Sequence, residues 1–360
     1  MERFFIQTGV ISGPGAITCL KEMNIQRPLV VADPFFAKNG TAEAVARAAG
    51  GENFRIFDKV LPDPTVTLAA EGAACVREFA PDAVIALGGG SAMDCAKAMT
   101  YFSGIKPRLI AIPTTSGSGS EVTNFAILTH GGVKHPLVDP ALRPEIAILD
   151  SDLLRQLPKT LIADGGFDLI SHALEAWVAT GGSGMSQALA LEAVWRAWML
   201  LPRSYSGDVA VRQRLHEAST MAGMAFSAAG LGICHALSHS LGGEFHVPHG
   251  RLNAILLPAV IDRNAIVSGS AYGELARRLG LSTGADAVAV RALKNALTAL
   301  RRKLGLPQTL AEAGVAPAVL RQKVQTLAQT ALEDPCCGTN PVKPTQDMLR
   351  SILLEVAGHG

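Results

Sequence analysis

The first 150 residues alternate short runs of aliphatic residues with longer helical stretches, and this alternation restricts the possible fold more than any other feature of the chain. Four runs predict buried strands: PLVVAD (28–33), AVIAL (83–87), RLIAIP (108–113) and EIAILD (145–150). A helical pattern, TVTLAAEGAACVREF (65–79), lies between the first two. Apolar strands separated by helices predict a parallel sheet that is covered by helices.

The second half of the chain has a different residue pattern. Strand-like runs become rare after about residue 153, and alanine-rich amphipathic stretches follow. Two examples are SQALALEAVWRAWML (186–200) and AVAVRALKNALTALRRKLG (287–305). We therefore expect an α/β N-terminal domain over 1–152 that is built on a Rossmann-like parallel sheet. An all-helical C-terminal domain is expected over 153–360.

Composition excludes several classes of partner. The 360 residues are 48% hydrophobic and 18% charged with a net charge of +1, which favours large cores and gives no basic patch for nucleic acid. The longest apolar run, AILLPAVI (254–261), is too short for a membrane span, and the start MERFFIQTG lacks the core of a secretory signal. The six cysteines have no framework spacing, so we expect reduced thiols in the cytoplasm.

A glycine-rich turn joins the second predicted strand to a helix in AVIALGGGSAMDCAKAMTY. Gly88, Gly89 and Gly90 permit tight backbone angles and the close approach of a ligand. Ser91 is expected to cap the helix, with Asp94 in its first turn, and free amides at a helix N-terminus attract phosphate. Because the spacing differs from the standard dinucleotide motif, two interpretations stay open here, a phosphate-binding loop and a simple turn.

A second loop, AIPTTSGSGSEVT (111–123), also follows a predicted strand and is rich in glycine and hydroxyl groups. Its hydroxyl-bearing residues are Thr114, Thr115, Ser116, Ser118, Ser120 and Thr123. The carboxyl ends of neighbouring parallel strands meet at one edge of a sheet, where dinucleotides bind in open α/β folds. Together the two loops favour a dinucleotide site over the alternative, a polar surface loop.

Histidines are concentrated in GICHALSHSLGGEFHVPHGR, which holds four of the nine in the chain. His235 and His239 are four residues apart and therefore share one face of a helix. The pair Gly242 and Gly243 is expected to end that helix. His249 would then arrive on a loop or at the start of a new helix.

A carboxylate occurs in a similar arrangement in DGGFDLISHALEAWV, where Asp168 and His172 are also four residues apart. Taken singly, each histidine is most simply a core or surface residue with a hydrogen bond. As a set, one carboxylate and three imidazoles suit a divalent transition metal such as Fe2+ or Zn2+, with room for a substrate oxygen. The candidate ligands are Asp168, His172, His235 and His249.

Four segments together resemble the iron-containing (group III) alcohol dehydrogenase family, and they occur in the family's order over nearly the whole chain. They are GGGSAMDCAKA, AIPTTSGSGSEVT, FDLISHALEAWV and GMAFSAAGLGICHALSHSLGGEFHVPHGRLNAILLP. Within the family, FFIQTGVISGPGAI, ALEAWV and GGEFHVPHG are most similar to the propanol dehydrogenases of propanediol utilisation, followed by the alcohol dehydrogenases of ethanolamine utilisation. The resemblance implies a dehydroquinate synthase-like helical domain that binds the metal.

The resemblance also implies residue roles. The residues that match metal ligands are Asp168, His172, His235 and His249. His239 matches a second histidine that lies near the substrate and does not bind the metal. The residues that match cofactor contacts are Gly88, Gly89, Gly90, Ser91, Asp94, Thr114, Thr115, Ser118, Thr123, Lys134 and Leu161. Asp33 matches the position that selects NAD, since a carboxylate beside the adenosine ribose repels the 2′-phosphate of NADP.

The implied reaction is the NAD(H)-linked interconversion of a short primary alcohol, such as propanol, and its aldehyde, with Fe2+ as the implied metal and Zn2+ as the alternative. His239 is the expected catalytic residue, and Phe226 and Phe125 are expected to line the substrate pocket. We expect a cytoplasmic homodimer or higher homo-oligomer, with a bacterial microcompartment and its enzymes as an alternative setting, and no nucleic-acid or membrane partner. Two other functions stay open, a glycerol-type or other polyol dehydrogenase of the same fold and a metal-dependent hydrolase.

Overall fold

The computed structural model describes residues 4–131 and 133–358, which form two compact units. The first, called the sheet unit, comprises Phe5–Leu157 together with Arg212–Gly223. The second, called the helical unit, comprises Pro158–Val211 and the chain from Met224 onward. The fold class predicted from the sequence, an α/β domain with a parallel sheet followed by a helical domain, is confirmed.

The sheet unit contains both of the sheets found in the described residues. Its strands are β1 Gly9–Ser12, β2 Pro28–Ala32, β3 Arg55–Phe57, β4 Ala83–Gly88, β5 Arg108–Pro113, β6 Phe125–His130, β7 Val133–Val138 and β8 Ile146–Leu149. Six of them form a parallel sheet in the order β1-β8-β5-β4-β2-β3, and β6 and β7 form a separate antiparallel pair. The four predicted strands correspond to β2, β4, β5 and β8. Strands β1 and β3 lie at the two edges and are short, so they lack the long apolar run that marks a central strand.

Helices cover both faces of this parallel sheet. The helices between its strands are α1 Pro34–Lys38, α2 Thr41–Gly50, α3 Val66–Phe79 and α4 Gly90–Ser103. Alternate side chains of each strand enter opposite cores, so that Val84 packs with residues of α3 and α4 while Ile85 packs with residues of α2. Every residue of β2 and β4 is buried, which explains why these strands are uninterrupted apolar runs in the sequence.

The remaining helices run from the end of the sheet to the C-terminus. They are α5 Lys159–Val178, α6 Gly184–Tyr205, α7 Arg212–Ala229, α8 Ile233–Phe245, α9 His249–Arg278, α10 Asp286–Lys303, α11 Pro317–Leu332 and α12 Gln346–Glu355. In the helical unit, α5 is buried along most of its length and packs against α6 and α9, while α8 packs against α9 and α11. The described part of this unit is helical, as the periodicity predicts.

Helix α8 differs from its prediction at one point. It does not end at Gly242 and Gly243, but continues through them to Phe245. A glycine inside a helix costs only about 1 kcal/mol relative to alanine, which packing against neighbouring helices can outweigh. The helix ends instead at His246, whose left-handed backbone (φ 55°) reverses the chain, and the next helix begins at His249 directly after Pro248.

Among the described residues, α9 has the length and mean hydropathy of a membrane-spanning helix, and α7 and α8 pass the same test only if taken together across a bend of 105°. Helix α9 packs against α5, α8 and α10 and contains Arg251, which pairs with Asp164 of α5. We interpret it as a core helix of the helical unit, since such helices share the composition of membrane spans.

Candidate active site

Helix α5 presents three ionisable side chains on one face. Asp168, His172 and Glu175 follow one another at spacings of four and three, which aligns them along a helix. All three are buried. Oδ1 of Asp168 lies 3.8 Å from Nδ1 of His172. A buried carboxylate next to an imidazole needs further partners, and these come from α8 and α9.

Two more histidines converge on the same oxygen. Oδ1 of Asp168 lies 3.9 Å from Nε2 of His235 and 3.6 Å from Nε2 of His249. One ligand atom from each of these three residues lies within 4.8 Å of the other two. The ring of His172 stacks on that of His235, with centroids 4.4 Å apart. The structure therefore brings together all four candidate ligands, from three different helices.

The outer nitrogen of His235 is held by Glu175. Nδ1 of His235 lies 2.6 Å from Oε2 of Glu175, and the same carboxylate accepts the backbone N–H groups of residues 232 and 234. Because that carboxylate already accepts two N–H groups, the proton of His235 is on Nδ1 and Nε2 keeps its lone pair. Burial lowers the pKa of His235 to about 3, which keeps its imidazole neutral. A neutral imidazole whose outer nitrogen donates to a carboxylate is the usual metal-binding form of histidine.

The residues around this group fit a divalent metal. Asn253 of α9 donates from its side-chain amide to Oδ1 of Asp168 at 2.9 Å, which fixes the carboxylate. Burial raises the pKa of Glu175 to about 7. The four candidate ligands offer only nitrogen and oxygen atoms, a donor set that suits Fe2+ and Zn2+ alike.

His239 lies beside the group and has a partner of its own. Nδ1 of His239 donates to Oδ2 of Asp334 at 2.8 Å, and its ring stacks on that of His249 with centroids 5.1 Å apart. Burial acts to raise the pKa of Asp334, but hydrogen bonds from His239 and from the Cys336 amide outweigh it and lower the pKa to about 2. The Asp334 carboxylate thus fixes the proton of His239 on Nδ1 and leaves the lone pair on Nε2.

The two phenylalanines predicted to line the substrate pocket have different surroundings. Phe226, on α7, is buried and stacks on the ring of His172 with centroids 4.4 Å apart. Phe125, the first residue of β6, is half-buried in the sheet unit, and its carbonyl accepts a hydrogen bond from Lys97. Phe226 therefore contacts a candidate metal ligand.

The two glycine- and hydroxyl-rich loops begin at one edge of the sheet. Gly88 at the end of β4 is paired with Pro113 at the end of β5, and the amide of Thr114 donates to the carbonyl of Gly88 at 2.9 Å. Gly88 has φ +151°, and a Cβ there would lie only 2.6 Å from that of Ala92. The turn therefore requires glycine at this position.

Helix α4 begins directly after this turn, and its cap differs from the prediction. Gly89 is the N-cap, the first turn has no side-chain cap, and Ser91 lies inside the helix. A Cβ on Gly89 would lie 3.3 Å from Oγ1 of Thr115, and one on Gly90 would lie 3.3 Å from Cβ of Ser118, so the two loops are in contact. First-turn amides without a side-chain cap are available to an anion, which is consistent with phosphate binding.

Asp33 lies at the same edge of the sheet. It follows β2, whose last residue is paired with Leu87 of β4, and it caps α1 by accepting from the amides of Phe35 and Phe36 at 2.8 and 3.2 Å. Its second oxygen lies 4.0 Å from where a Cβ on Gly88 would be. A carboxylate thus lies next to the glycine turn, where an adenosine ribose binds in dinucleotide folds.

Asp94 and Thr123 form internal hydrogen bonds. Asp94 is the fifth residue of α4 rather than part of its first turn, and it accepts from the Ser120 hydroxyl at 3.0 Å. The buried ammonium of Lys97 donates to Oγ1 of Thr123 and to Oγ of Ser120, at 3.0 and 2.8 Å. Burial lowers the pKa of Lys97 to about 8. These groups fix the shape of the second loop against α4.

Lys134 and Leu161 are the two other predicted cofactor contacts. Lys134, in β7, forms an ion pair with Asp63 at 2.6 Å. Leu161 is in the first turn of α5 and is 46% exposed.

Comparison with known proteins assigns the family. Residues 7–151 match the family described as "Iron-containing alcohol dehydrogenase", and residues 162–357 match the "Fe-containing alcohol dehydrogenase family, C-terminal". The chain belongs to the iron-containing alcohol dehydrogenase family. The family had been identified from the glycine turn, the hydroxyl loop and the histidine segment, and that identification is confirmed.

Relatives of the chain include proteins of about its own length and longer ones. The chain is 38% identical to the 1-propanol dehydrogenase PduQ of Salmonella typhimurium, over 99% of this chain and 100% of the relative. It is 39% identical to the bifunctional aldehyde-alcohol dehydrogenase AdhE of Escherichia coli over 92% of this chain, but spans only 43% of that relative. Among solved structures, an iron-containing alcohol dehydrogenase from Thermococcus thioreducens is 34% identical, with a TM-score of 0.90 and coverage of 98% and 99% of the two chains.

Three residues of this family member were not selected from the sequence although they contact candidate ligands or His239. Glu175 could have been found, because it lies seven residues after Asp168 and therefore on the same face of α5. No spacing of this kind marks Asn253 or Asp334 in the sequence. They reach the site from α9 and from the segment after α11, and no local spacing relates them to it.

One further histidine was also missed. His216 of α7 is buried in the sheet unit, where Nε2 lies 3.1 Å from the carbonyl of Pro113 and Nδ1 lies 3.1 Å from the hydroxyl of Ser116. A carbonyl only accepts, so Nε2 carries the proton and Nδ1 accepts from Ser116. Burial lowers the pKa of His216 to about 4, so this neutral form persists near neutral pH. The histidine thus fixes the second loop against α7.

Proposed function

We propose that the protein is a metal-dependent, NAD(H)-linked alcohol dehydrogenase that interconverts a short primary alcohol and its aldehyde, with propanol and propanal as the substrate pair. The observation that carries this proposal is the approach of three imidazoles to one carboxylate oxygen, Oδ1 of Asp168, at 3.6–3.9 Å. Family membership supports the reaction class, and the relative named for 1-propanol supports the substrate.

The proposed metal ligands are Asp168, His172, His235 and His249. When bound, the cation, proposed to be Fe2+ with Zn2+ as the alternative, supplies a Lewis acid that lowers the pKa of an alcohol hydroxyl. Glu175 holds His235 in the tautomer that presents Nε2, and Asn253 fixes the carboxylate of Asp168. These two residues are positioning residues, since they act through the ligands.

The proposed cofactor is NAD(H), which supplies the hydride acceptor when bound. The pyrophosphate would contact the uncapped amides of α4 and the loop that faces them. Asp33 would accept from the ribose hydroxyls and disfavour NADP. The other proposed contacts are Ser91, Asp94, Thr114, Thr115, Ser118, Thr123, Lys134 and Leu161.

His239 is proposed to carry the proton that alcohol oxidation releases. The alcohol loses a hydride from carbon and a proton from oxygen, and the proton needs an acceptor that returns it to solvent. Nε2 of His239 keeps a lone pair because Asp334 fixes the ring proton on Nδ1. The ring lies against His249, beside the proposed metal.

The setting is proposed on resemblance alone. We propose a cytoplasmic homodimer or higher homo-oligomer, with encapsulation beside other microcompartment enzymes as the alternative. Size-exclusion chromatography with light scattering tests the oligomer, and co-purification with shell proteins tests encapsulation.

One experiment tests the proposed activity. Protein purified without oxygen is analysed for metal and assayed with NADH and with aldehydes of two to four carbons, and with NAD+ and propanol or glycerol in the reverse direction. We expect about one metal per chain and the highest kcat/KM with propanal. Preference for glycerol, or hydrolysis without any change in NADH absorbance, would contradict the proposal.

Cofactor choice gives a first prediction. Asp33→Ser should raise the ratio of kcat/KM with NADPH to that with NADH by roughly 10–100-fold, equivalent to about 1.4–2.8 kcal/mol, because it removes a carboxylate from beside the ribose. Serine keeps an oxygen that can cap α1, so the fold should be retained. Asp33→Asn is the matched control for charge at constant volume. An unchanged ratio in both variants would show that Asp33 does not lie beside the ribose.

Chain-length preference gives a second prediction. If Phe226 lines the pocket as well as stacking on His172, Phe226→Ala should shift preference from propanal to longer aldehydes. The truncation should also destabilise the protein by about 3–5 kcal/mol, since Phe226 is buried. Phe226→Leu is the control that keeps most of the volume. An unchanged profile with lower stability would make Phe226 a core residue only.

A further inference from the structure

A second group of metal-binding side chains lies next to the first. His239 of α8 meets Asp334 and Cys336, which belong to the segment that follows α11. One ligand atom from each of the three lies within 4.8 Å of the other two. Nδ1 of His239 lies 2.8 Å from Oδ2 of Asp334. The side chains of His239 and Asp334 are only 13% and 10% exposed, so the cluster lies mostly inside the protein.

The donor atoms of this group differ in kind from those of the first. They comprise one imidazole nitrogen, one carboxylate oxygen and one sulfur, whereas the first group has no sulfur. Thiolate, imidazole and carboxylate are the three side-chain ligands of zinc in proteins, and a site with three of them keeps a fourth position open. Softer sulfur favours zinc and other thiophilic cations over iron.

We propose that His239, Asp334 and Cys336 form a second metal site, separate from the first group, which takes a thiophilic divalent cation such as Zn2+. Asp334 and the thiolate of Cys336 bring two negative charges, which neutralise the cation and limit its repulsion by a cation at the first group. The Asp334 carboxylate is held in place by the amide of Cys336 at 2.8 Å, so two of the three ligands are fixed by one turn of chain.

Binding at this site rearranges two protons. The cation displaces the thiol proton of Cys336 to solvent, because a coordinating thiol is deprotonated. It also takes the place of the proton between Nδ1 of His239 and Asp334, and that proton moves to Nε2. Since Nε2 is the nitrogen proposed to accept the substrate proton, an occupied second site should inhibit turnover. This consequence rests on the proposed function, whereas the metal site itself does not.

Cadmium tests the site without reference to activity. Enzyme that already carries its first metal is titrated with Cd2+ without oxygen, and thiolate-to-cadmium charge transfer is followed in the ultraviolet. We expect the band to saturate at one equivalent in the parent and to be absent in Cys336→Ala. Cys337→Ala is the matched control, because the adjacent thiol donates to the carbonyl of Ala331 and is not part of the cluster. It should retain the band.

Three results would overturn the site: no band in the parent, a band that persists in Cys336→Ala, or a band that disappears in Cys337→Ala. Cys336→Ser, which nearly keeps the side-chain volume, replaces the alanine variant if that protein does not fold. Loss of an outer hydrogen-bond partner typically weakens metal binding by about 10–100-fold. Loss of a direct ligand should weaken Cd2+ binding by more than that.

Inhibition by added Zn2+ tests whether an occupied second site slows turnover. Added Zn2+ should inhibit the parent and Cys337→Ala, and at least about tenfold more Zn2+ should be needed to inhibit Cys336→Ala. Inhibition is expressed relative to the turnover of each variant in the absence of added Zn2+. A cadmium band without zinc inhibition would leave the site intact and contradict the proton-carrying role of His239. Absence of the band together with normal turnover would overturn the site alone.

Discussion

Replacing His249 or Asp168 by alanine is expected to abolish tight metal binding and turnover while the fold is kept. Asp168 is the only anion among the four proposed ligands, and its Oδ1 lies 3.6–3.9 Å from the other three side chains. The side chain of His249 is 26% exposed at the start of α9, so its truncation should leave only a small cavity. Metal content per chain, NADH-linked turnover and the thermal unfolding transition are the three measurements.

Matched variants separate loss of a ligand from loss of structure. Asp168→Asn keeps the volume and a possible oxygen ligand but removes the charge, and should retain less metal than the parent. Glu175→Gln should lose only about 10–100-fold in metal affinity, as is typical when a histidine ligand loses its outer hydrogen-bond partner. Stoichiometric metal with near-parent turnover in His249→Ala or Asp168→Ala would remove that residue from the ligand set.

The second large effect is expected from His239→Ala, which should keep the metal and slow turnover by roughly 10²–10⁴-fold, the typical loss for an acid–base group. Nδ1 of His239 is bound to Asp334, so the ring offers Nε2 as proton acceptor, and His239 is not one of the four proposed ligands of the first group. Imidazole is the side chain suited to taking and releasing protons near neutral pH. The pH–rate profile of the variant should therefore change shape, and not merely decrease in height.

Asp334→Asn is the informative companion to His239→Ala. Its amide oxygen can still accept from Nδ1, so we expect the metal to be retained and a smaller loss of turnover than in His239→Ala. Metal analysis and a pH–rate profile should be recorded for both variants. Loss of the metal from His239→Ala would make this histidine a ligand, and a rate and pH profile equal to the parent's would exclude it as the proton carrier.

The fold class followed from the sequence because it depends on local periodicity. Buried parallel strands are continuous apolar runs, and β2, β4, β5 and β8 are such runs. Edge strands such as β1 and β3 are short and partly exposed, so the same criterion does not detect them.

Helical spacing also predicted which site residues share a face. Asp168 and His172 lie together on α5, and His235 and His239 lie on α8, as their four-residue spacing requires. The end of α8 was predicted wrongly, because two glycines were taken as a stop. Packing of α8 against its neighbours is a tertiary effect, and it outweighs the propensity of Gly242 and Gly243.

Only the tertiary structure decided which distant residues complete the two groups of side chains. Asn253 and Asp334 lie 85 and 95 residues from their partners, Asp168 and His239, and nothing in the local pattern around them indicates these contacts. The chain segment Arg212–Gly223 likewise joins the sheet unit. Periodicity shows which face of a helix is apolar. It does not show which other helix packs against that face, because this depends on the close fit of surfaces that are remote in sequence. Gly119 and Gly223 show this fit, since a Cβ on either would lie within 2.7 Å of the other.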